Sequence, residues 1–427
     1  MPINKLPPEI LAHIASFFER ERDLTKATAV CQQWRVTLIS FPRLWCNAGG
    51  SQPEMQEYIK RSKSAPLNVN LFYPGLVGLI VPHTFRLASL DVVLHRLLDI
   101  NQVVNCLHSP IPTLHTFGIS TTPSDLANTV TFPSGLHHPF FLHSKKLKIN
   151  RISEFLEFPV FPCVTELTWS MTGSYGKLEM ASLLRTLEQL PLLERVYLTF
   201  GAGIFQFTFG GDAVTLSRVQ EMKISGCVFP NILRNLRLPK LTVFCVEPRS
   251  WPHWGFPSVF PVETFEEQLP NFVELPEVHL DMGSREITFR NPQVQVTLKC
   301  SLDPLEHYYN TKVMGWGGLP LHSVRRLVVD IVPGEMIYPR FGQTWLIYLP
   351  GDLKHLEYLE LRGEGNDEVR RVCDSVMREN ESIRTKILNL RWEEHDKQER
   401  RGGERVGKSK VIRMPMRMVS RAVGWTK

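Results

Sequence analysis

Leu193-Glu194-Arg195-Val196-Tyr197-Leu198 has the form L-x-x-L-x-L. Its second half alternates apolar and polar side chains, which suits a short strand with one buried face. The same form, or a close relative, returns at Leu114–Ile119, Val164–Trp169, Val219–Ile224, Leu241–Val246, Val324–Val329 and Leu356–Leu361. From Val164 onward the starts fall 29, 26 and 22 residues apart.

Helical faces sit between some copies. Leu183, Leu184, Leu187 and Leu190 share one face, and Pro191 closes that helix just before the next strand. Val369, Val372, Cys373, Val376 and Met377 make a second face, with Asn366 or Asp367 to cap it. Alternation of strand and helix predicts α/β architecture. Residues 248–320 break the rhythm with Pro248, Trp251, Pro252, Trp254, Pro257, Pro261, Pro270 and Pro276. They form either an ordered insertion or a loop over the strands. Within them Val294–Leu298 alternates like a strand. Trp251, Trp254 and Phe256 are candidates for either a recognition surface or packing.

Spacings of 20–29 residues make this region resemble leucine-rich repeats, which implies a solenoid with a strand in each repeat. No Asn/Cys ladder residue runs through the copies, although Cys227 follows one of them closely. The other reading is an ordinary α/β domain with several similar strands.

The first 45 residues differ in kind. Pro8 suits the first turn of a helix and Glu9 suits its positive end. Ile10, Leu11, Ile14, Phe17 and Phe18 then recur at helical spacing. Asp23 is a candidate N-cap for a second helix carrying Leu24, Ala27 and Val30; Trp34 and Leu38 continue the spacing, and Pro42 stops it. Helices this short cannot bury a sizeable core alone. They predict apolar surface left for a partner, or the first hairpin of a larger domain.

Three blocks in this stretch, Leu6-Pro7-Pro8-Glu9-Ile10, Val30-Cys31-x-x-Trp34-Arg35 and Pro42-x-Leu44-Trp45, resemble an F-box in order and spacing. Tyr58–Val69 resembles the segment that follows the F-box in many F-box proteins of mushroom-forming fungi. The resemblance implies docking on a Skp-type adaptor, which hangs from a cullin scaffold in an SCF ubiquitin ligase, while the rest of the chain captures a target protein. Carried over, Leu6, Pro7, Ile10, Leu11 and Ile14 are adaptor contacts; Leu24, Val30, Cys31 and Trp34 build the module or complete its interface. The motif starts almost at Met1, so no extension before it is expected to add contacts.

The expected fold class is therefore α/β: all-α F-box helices in residues 1–50, then an irregular leucine-rich-repeat-like solenoid in residues 51–390. A basic, disordered tail at 391–427 is expected to end the chain.

Composition agrees with an intracellular protein of the cytoplasm or nucleus. Hydrophobic residues are 43% of the chain and charged residues 22%, as in ordinary globular domains. The eight cysteines never form C-x-x-C, which argues against structural zinc. No signal peptide is read at the start. The apolar stretch Leu76–Ile100 is interrupted by Pro82, Arg86, Asp91 and Arg96, so no membrane span is expected. Net charge is +6, and residues 391–427 alone supply it, with eleven Lys/Arg against five Asp/Glu. A folded body balanced in charge gives no basis for a nucleic-acid partner.

Gly402–Ser409 fits G-x-x-x-x-G-K-[ST], the phosphate-binding loop of nucleotide hydrolases. That chemistry needs a strand before the loop and a helix after it. Here a charged run, Glu393–Arg401, precedes the loop, and Pro415 interrupts the few residues that follow. Arg413, Met414, Met416, Arg417, Met418 and Arg421 make a basic, Met-rich stretch instead. His137, His138 and His143 lack partners at ligand spacing. Neither a catalytic constellation nor a cofactor is read. The expectation is an adaptor subunit, with a non-ligase scaffold, or nucleotide binding through Lys408, as the other readings.

Overall fold

The computed structural model describes residues 6–18, 21–95, 102–103, 111–121, 144–150, 161–171, 180–200, 213–226, 233, 235–248, 265–281, 286–301, 321–331, 355–363, 390–394 and 410–413. The chain forms two compact units, Met1–Val214 and Thr215–Lys427. The content is mixed α/β with extensive parallel strand pairing, as the alternation of strand and helix predicts.

The first unit opens with α1 (Pro8–Ala15), α2 (Glu21–Ala27), α3 (Gln32–Ser40) and a 3-10 turn at Pro42–Trp45. Asp23 lies inside α2 and is not its cap, which corrects the sequence reading. The second helix also stops at Ala27; Val30 falls in a turn, and a new helix starts after extended Cys31. Then come β1 (Asn47–Ala48), α4 (Gln52–Arg61), β2 (Leu67–Leu71), β3 (Leu87–Leu94), β4 (Thr116–Thr121), β5 (Lys146–Asn150), β6 (Glu166–Met171) and β7 (Arg195–Phe200).

These seven strands are parallel, each beside the next in sequence. Their registers line up two apolar rows. One runs Ala48, Val69, Leu90, Phe117, Leu147, Leu167, Val196; the other runs Leu71, Val92, Ile119, Ile149, Trp169, Leu198. All of these side chains are buried. Period-2 alternation puts both rows on one face and the polar residues on the other. The helix Met180–Glu188 fills the crossover between β6 and β7, with Leu183, Leu184 and Leu187 buried, as the sequence predicts.

The repeated pattern is longer than L-x-x-L-x-L. Four copies are preceded by a buried apolar residue three positions earlier: Ile111 before Leu114, Phe161 before Val164, Leu190 before Leu193, Leu238 before Leu241. In these four turns the later N–H donates to the earlier carbonyl at 3.0, 3.3, 3.1 and 3.2 Å. Pro112, Pro162, Pro191 and Pro239 stand second in them. Proline presets φ at that position of a β-turn, so each strand is entered by a fixed corner.

The remaining strands are β8 (Val214–Thr215), β9 (Glu221–Gly226), β10 (Leu236–Arg237), β11 (Val243–Pro248), β12 (Glu277–Asp281), β13 (Glu286–Asn291), β14 (Val296–Ser301), β15 (Arg326–Ile331), β16 (Tyr358–Gly363), β17 (Leu390–Glu394) and β18 (Lys410–Arg413). In the second unit β9, β11 and β14 are parallel neighbours, and β14, β13 and β12 form an antiparallel meander. Strands β12, β15, β16 and β17 continue in parallel, and β18 pairs antiparallel with β17. The region that breaks the rhythm thus contributes strands to the sheet. Val294 lies in the turn before β14, exposed, so the strand starts two residues later than the alternation suggests.

Two stretches of the region read as a tail are paired strands, β17 and β18. The segment Glu393–Arg401, read as lacking strand character, therefore begins with strand residues. Trp251, Trp254, Phe256, the helix read around Val369–Met377 and the histidines at 137, 138 and 143 lie outside the described residues. No described helix is long and apolar enough to cross a membrane.

Candidate functional site

The candidate docking residues sit on α1–α3. Pro8 occupies the first turn of α1, where its missing N–H costs nothing, and Glu9 follows at the positive end. Ile10 and Leu11 N–H groups both donate to the Pro7 carbonyl at 3.1 Å. Helical geometry then divides the apolar residues between two stripes. Leu11, Ala12 and Ala15 face inward and are buried with Leu24, Ala27, Trp34, Leu38 and Trp45. Ile10 is 45% exposed, Pro7 is exposed, and Leu6 and Ile14 are partly exposed.

The nine sequence-read residues therefore separate. Leu11, Leu24 and Trp34 are core; Leu6, Pro7, Ile10, Ile14, Val30 and Cys31 retain surface. Leu11, read as an adaptor contact, has its side chain 0% exposed and packed inside the module. Val30 is 63% exposed in the turn between α2 and α3. Two further apolar side chains stand out that the reading did not single out as contacts, Phe17 at 70% and Val36 at 62% exposed. Phe17 was legible as part of the α1 apolar spacing. Val36 was not, because its outward direction depends on where α3 begins. Trp34 adds an unmet donor: its indole N–H is buried with no hydrogen-bond partner.

The module is fused to the sheet. Trp45 donates from Nε1 to the Leu38 carbonyl at 2.9 Å, closing the end of α3. Its ring meets Tyr58 of α4 edge-on at 5.0 Å, and the Arg61 guanidinium lies over it at 4.2 Å. Ser51 and Glu54 form a capping box that starts α4. Gly50 before it has φ +84°, and a Cβ there would meet Glu54 Oε2 at 2.5 Å, so both backbone and space require glycine. At the other end of α4, buried Arg86 donates to the Ile59 carbonyl at 3.0 Å, the Ala65 carbonyl at 2.9 Å and Ser62 Oγ at 3.0 Å. It ties the end of α4 to the loop after it, adding to the Ser62 hydroxyl that already donates to the Ile59 carbonyl at 2.8 Å.

Polar side chains of the sheets are largely engaged with one another. Glu166 holds both Lys146 and Arg195 at 3.0 Å. In the second unit, Arg326 lies 3.1 Å from buried Glu360 and 3.5 Å from Glu277, and His279 pairs with Asp330 at 2.5 Å. Burial, reinforced by nearby Glu247, pushes the Cys245 thiol up to about 12. Among the described residues, no group of three or more His, Cys, Asp or Glu is placed to hold a metal. Gly402–Ser409 lies outside the described residues. The residue after it, Lys410, begins a strand, where a phosphate-binding loop requires a helix.

No curated protein matches the chain. Residues 3–48 match the family model described as F-box-like. The chain thus opens with an F-box-like domain, and the last two residues of that match, Asn47 and Ala48, are the first strand of the sheet.

Proposed function

We propose that the chain is a substrate-recognition subunit of an SCF-type ubiquitin ligase. Its F-box-like domain docks on a Skp-type adaptor, and through that on a cullin, while the strand body holds a target protein. The carrying observation is that residues 3–48 match the F-box-like model while Ile10, Phe17, Val30 and Val36 of that same stretch stand exposed. Exposed apolar side chains on a small domain suit a protein partner. Leu6, Pro7, Ile14 and Cys31, partly or fully exposed, complete the proposed contact set; Leu11, Leu24 and Trp34 support it from inside.

The body is read as an irregular leucine-rich-repeat-like solenoid. Support comes from the proline corner that recurs before strands and from the sequential parallel order of β1–β7. Action is by proximity: the target is held near a charged ubiquitin-conjugating enzyme, so its effective concentration rises.

The test is co-expression with a Skp-type adaptor. Wild type is expected to co-purify with it, and Leu6→Ala/Pro7→Ala/Ile10→Ala is expected to lose it while keeping its melting temperature. Retention of the adaptor by the triple variant would overturn the docking reading. A scaffold acting outside any ligase would keep the adaptor, yet leave every target's abundance unchanged on deletion of the protein.

A further inference from the structure

From the second half of α4 to the middle of β3 the chain carries charge of one sign. Residues 58–90 hold four cations, Lys60, Arg61, Lys63 and Arg86, and no carboxylate. Two of the four are engaged: Arg61 pairs with Glu57 at 2.7 Å, and Arg86 is buried at the end of α4. Lys60 and Lys63 are exposed, and neither is in an ion pair among the described residues.

Lys63 is held in a strained conformation. It stands second in the turn Ser62–Ala65, which the Ala65 N–H closes on the Ser62 carbonyl at 2.9 Å, and its φ is +51°. Glycine suits that backbone, whereas a side chain strains it. The α4 dipole accounts for cations in the last turn of the helix, Lys60 among them. It does not account for a lysine in a glycine-like position beyond the helix, which is evidence of a use for that charge outside the fold.

Apolar side chains stand beside this turn. Leu67 pairs with Leu87, so the residues that enter β2 and β3 run side by side. Arg86 donates across them to the Ala65 carbonyl at 2.9 Å. Its neighbour Phe85 is 65% exposed, with its carbonyl held by the Thr113 hydroxyl at 3.3 Å. Pro82, three positions earlier in the 3-10 turn Val81–Arg86, shares the side of Phe85 and is exposed, as are Val81 and Pro66. An extended chain advances roughly 3.4 Å per residue, so a segment of a few residues reaches from Phe85 to Lys63.

We propose that this corner takes an acidic segment of the presented target, with an apolar side chain against Phe85, Pro82 and Val81 and carboxylates at Lys60 and Lys63. Two unpaired cations select an anion, and the exposed apolar neighbours select one with an apolar body. Two free lysines fall short of the roughly four to eight cations that hold a protein on an anionic membrane. Neither arginine of the segment is free to fork onto a phosphate. This inference rests on the reading of the chain as a target-presenting subunit.

The full chain is panned against a displayed library of random dodecapeptides. Asp and Glu flanking an apolar residue are expected to be enriched, and the best peptide, resynthesised with a fluorophore, is expected to bind less tightly as salt rises. Lys60→Gln/Lys63→Gln is expected to weaken it about fivefold or more. Phe85→Ser is expected to weaken it about tenfold, with an unchanged melting temperature. Lys63→Gly is expected to weaken it without lowering the melting temperature, because glycine relieves the strain at φ +51°. Panning without acidic enrichment, or equal binding to either the double variant or Phe85→Ser, would overturn the site. Flotation with phosphatidylserine vesicles that Phe85→Ser abolishes would give the corner to a membrane and overturn it too. Adaptor capture is measured in parallel. Acid-dependent peptide binding without adaptor capture would overturn the ligase reading and leave the site standing; adaptor capture without it would overturn the site alone.

Discussion

Residues 6–45 and strands β2–β7 distribute apolar side chains in different ways. In the strands, every apolar row faces inward: Phe117, Ile119, Leu147, Ile149, Leu167 and Trp169 are all buried, with polar residues alternating between them. In the helices, an inner stripe of Leu11, Ala15, Trp34 and Leu38 is buried while Ile10, Phe17, Val30 and Val36 stay exposed. A sheet of parallel neighbours buries a face beneath its own crossover connections. Three short helices cannot bury all of theirs, and the surplus apolar surface is what a partner can cover. Core positions in both regions should therefore govern stability, and the outer helical positions should govern association.

The largest effect is expected at Trp169, fully buried in the second apolar row. Trp169→Ala should cost about 3–5 kcal/mol in urea unfolding; a cost under about 1 kcal/mol would mean the row is not a packed core. Arg86→Met comes next. It removes the donor to the Ala65 carbonyl and Ser62 Oγ and one of the two donors to the Ile59 carbonyl, and a loss of about 2–4 kcal/mol is expected. If α4 is the joint between module and sheet, that variant should also separate two melting transitions. Gly118→Ala should cost about 1–3 kcal/mol by overlap with Asp91. The double change Gly118→Ala/Asp91→Ala should recover most of it, and strict additivity would show that the overlap is not the cause.

Ile10→Ala and Val30→Ala should be the quietest in stability, within about 0.5 kcal/mol. Their expected effect is loss of adaptor capture, so the two readouts separate association from folding. Cysteine labelling draws the same line chemically. At pH 8 Cys245, with its thiol held up to about 12 by burial and Glu247, should stay unmodified by iodoacetamide, whereas partly exposed Cys31 should react. Rapid labelling of Cys245 in the native protein would contradict its placement on β11.

Much of this was legible in the residues. Each L-x-x-L-x-L copy named at the outset is a strand, because period-2 alternation is local and survives any tertiary context. The helix before Pro191 was legible for the same reason. Strands β2, β3 and β5 were passed over: Lys146-Leu147-Lys148-Ile149-Asn150 alternates, but without the leading leucine that marks the other copies. The proline corners were visible too, yet the pattern was read from the fourth residue of each turn instead of the first. In the antiparallel meander β12–β14 only β14 was legible, from the alternation at Val294–Leu298; β12 and β13 follow a proline-broken stretch and lack the leading leucine.

The sequence alone determined the L-x-x-L-x-L strands and the helix before Pro191, and which short stretch carries the F-box-like motif, since periodicity and motif order are properties of neighbours along the chain. Only the tertiary structure decided that Leu11 faces in while Ile10 and Val30 face out, that Arg86 reaches back to the end of α4, and that Phe85 stands beside the turn at Lys63. Those facts depend on helix boundaries and strand register, where a shift of one residue turns a side chain from core to surface.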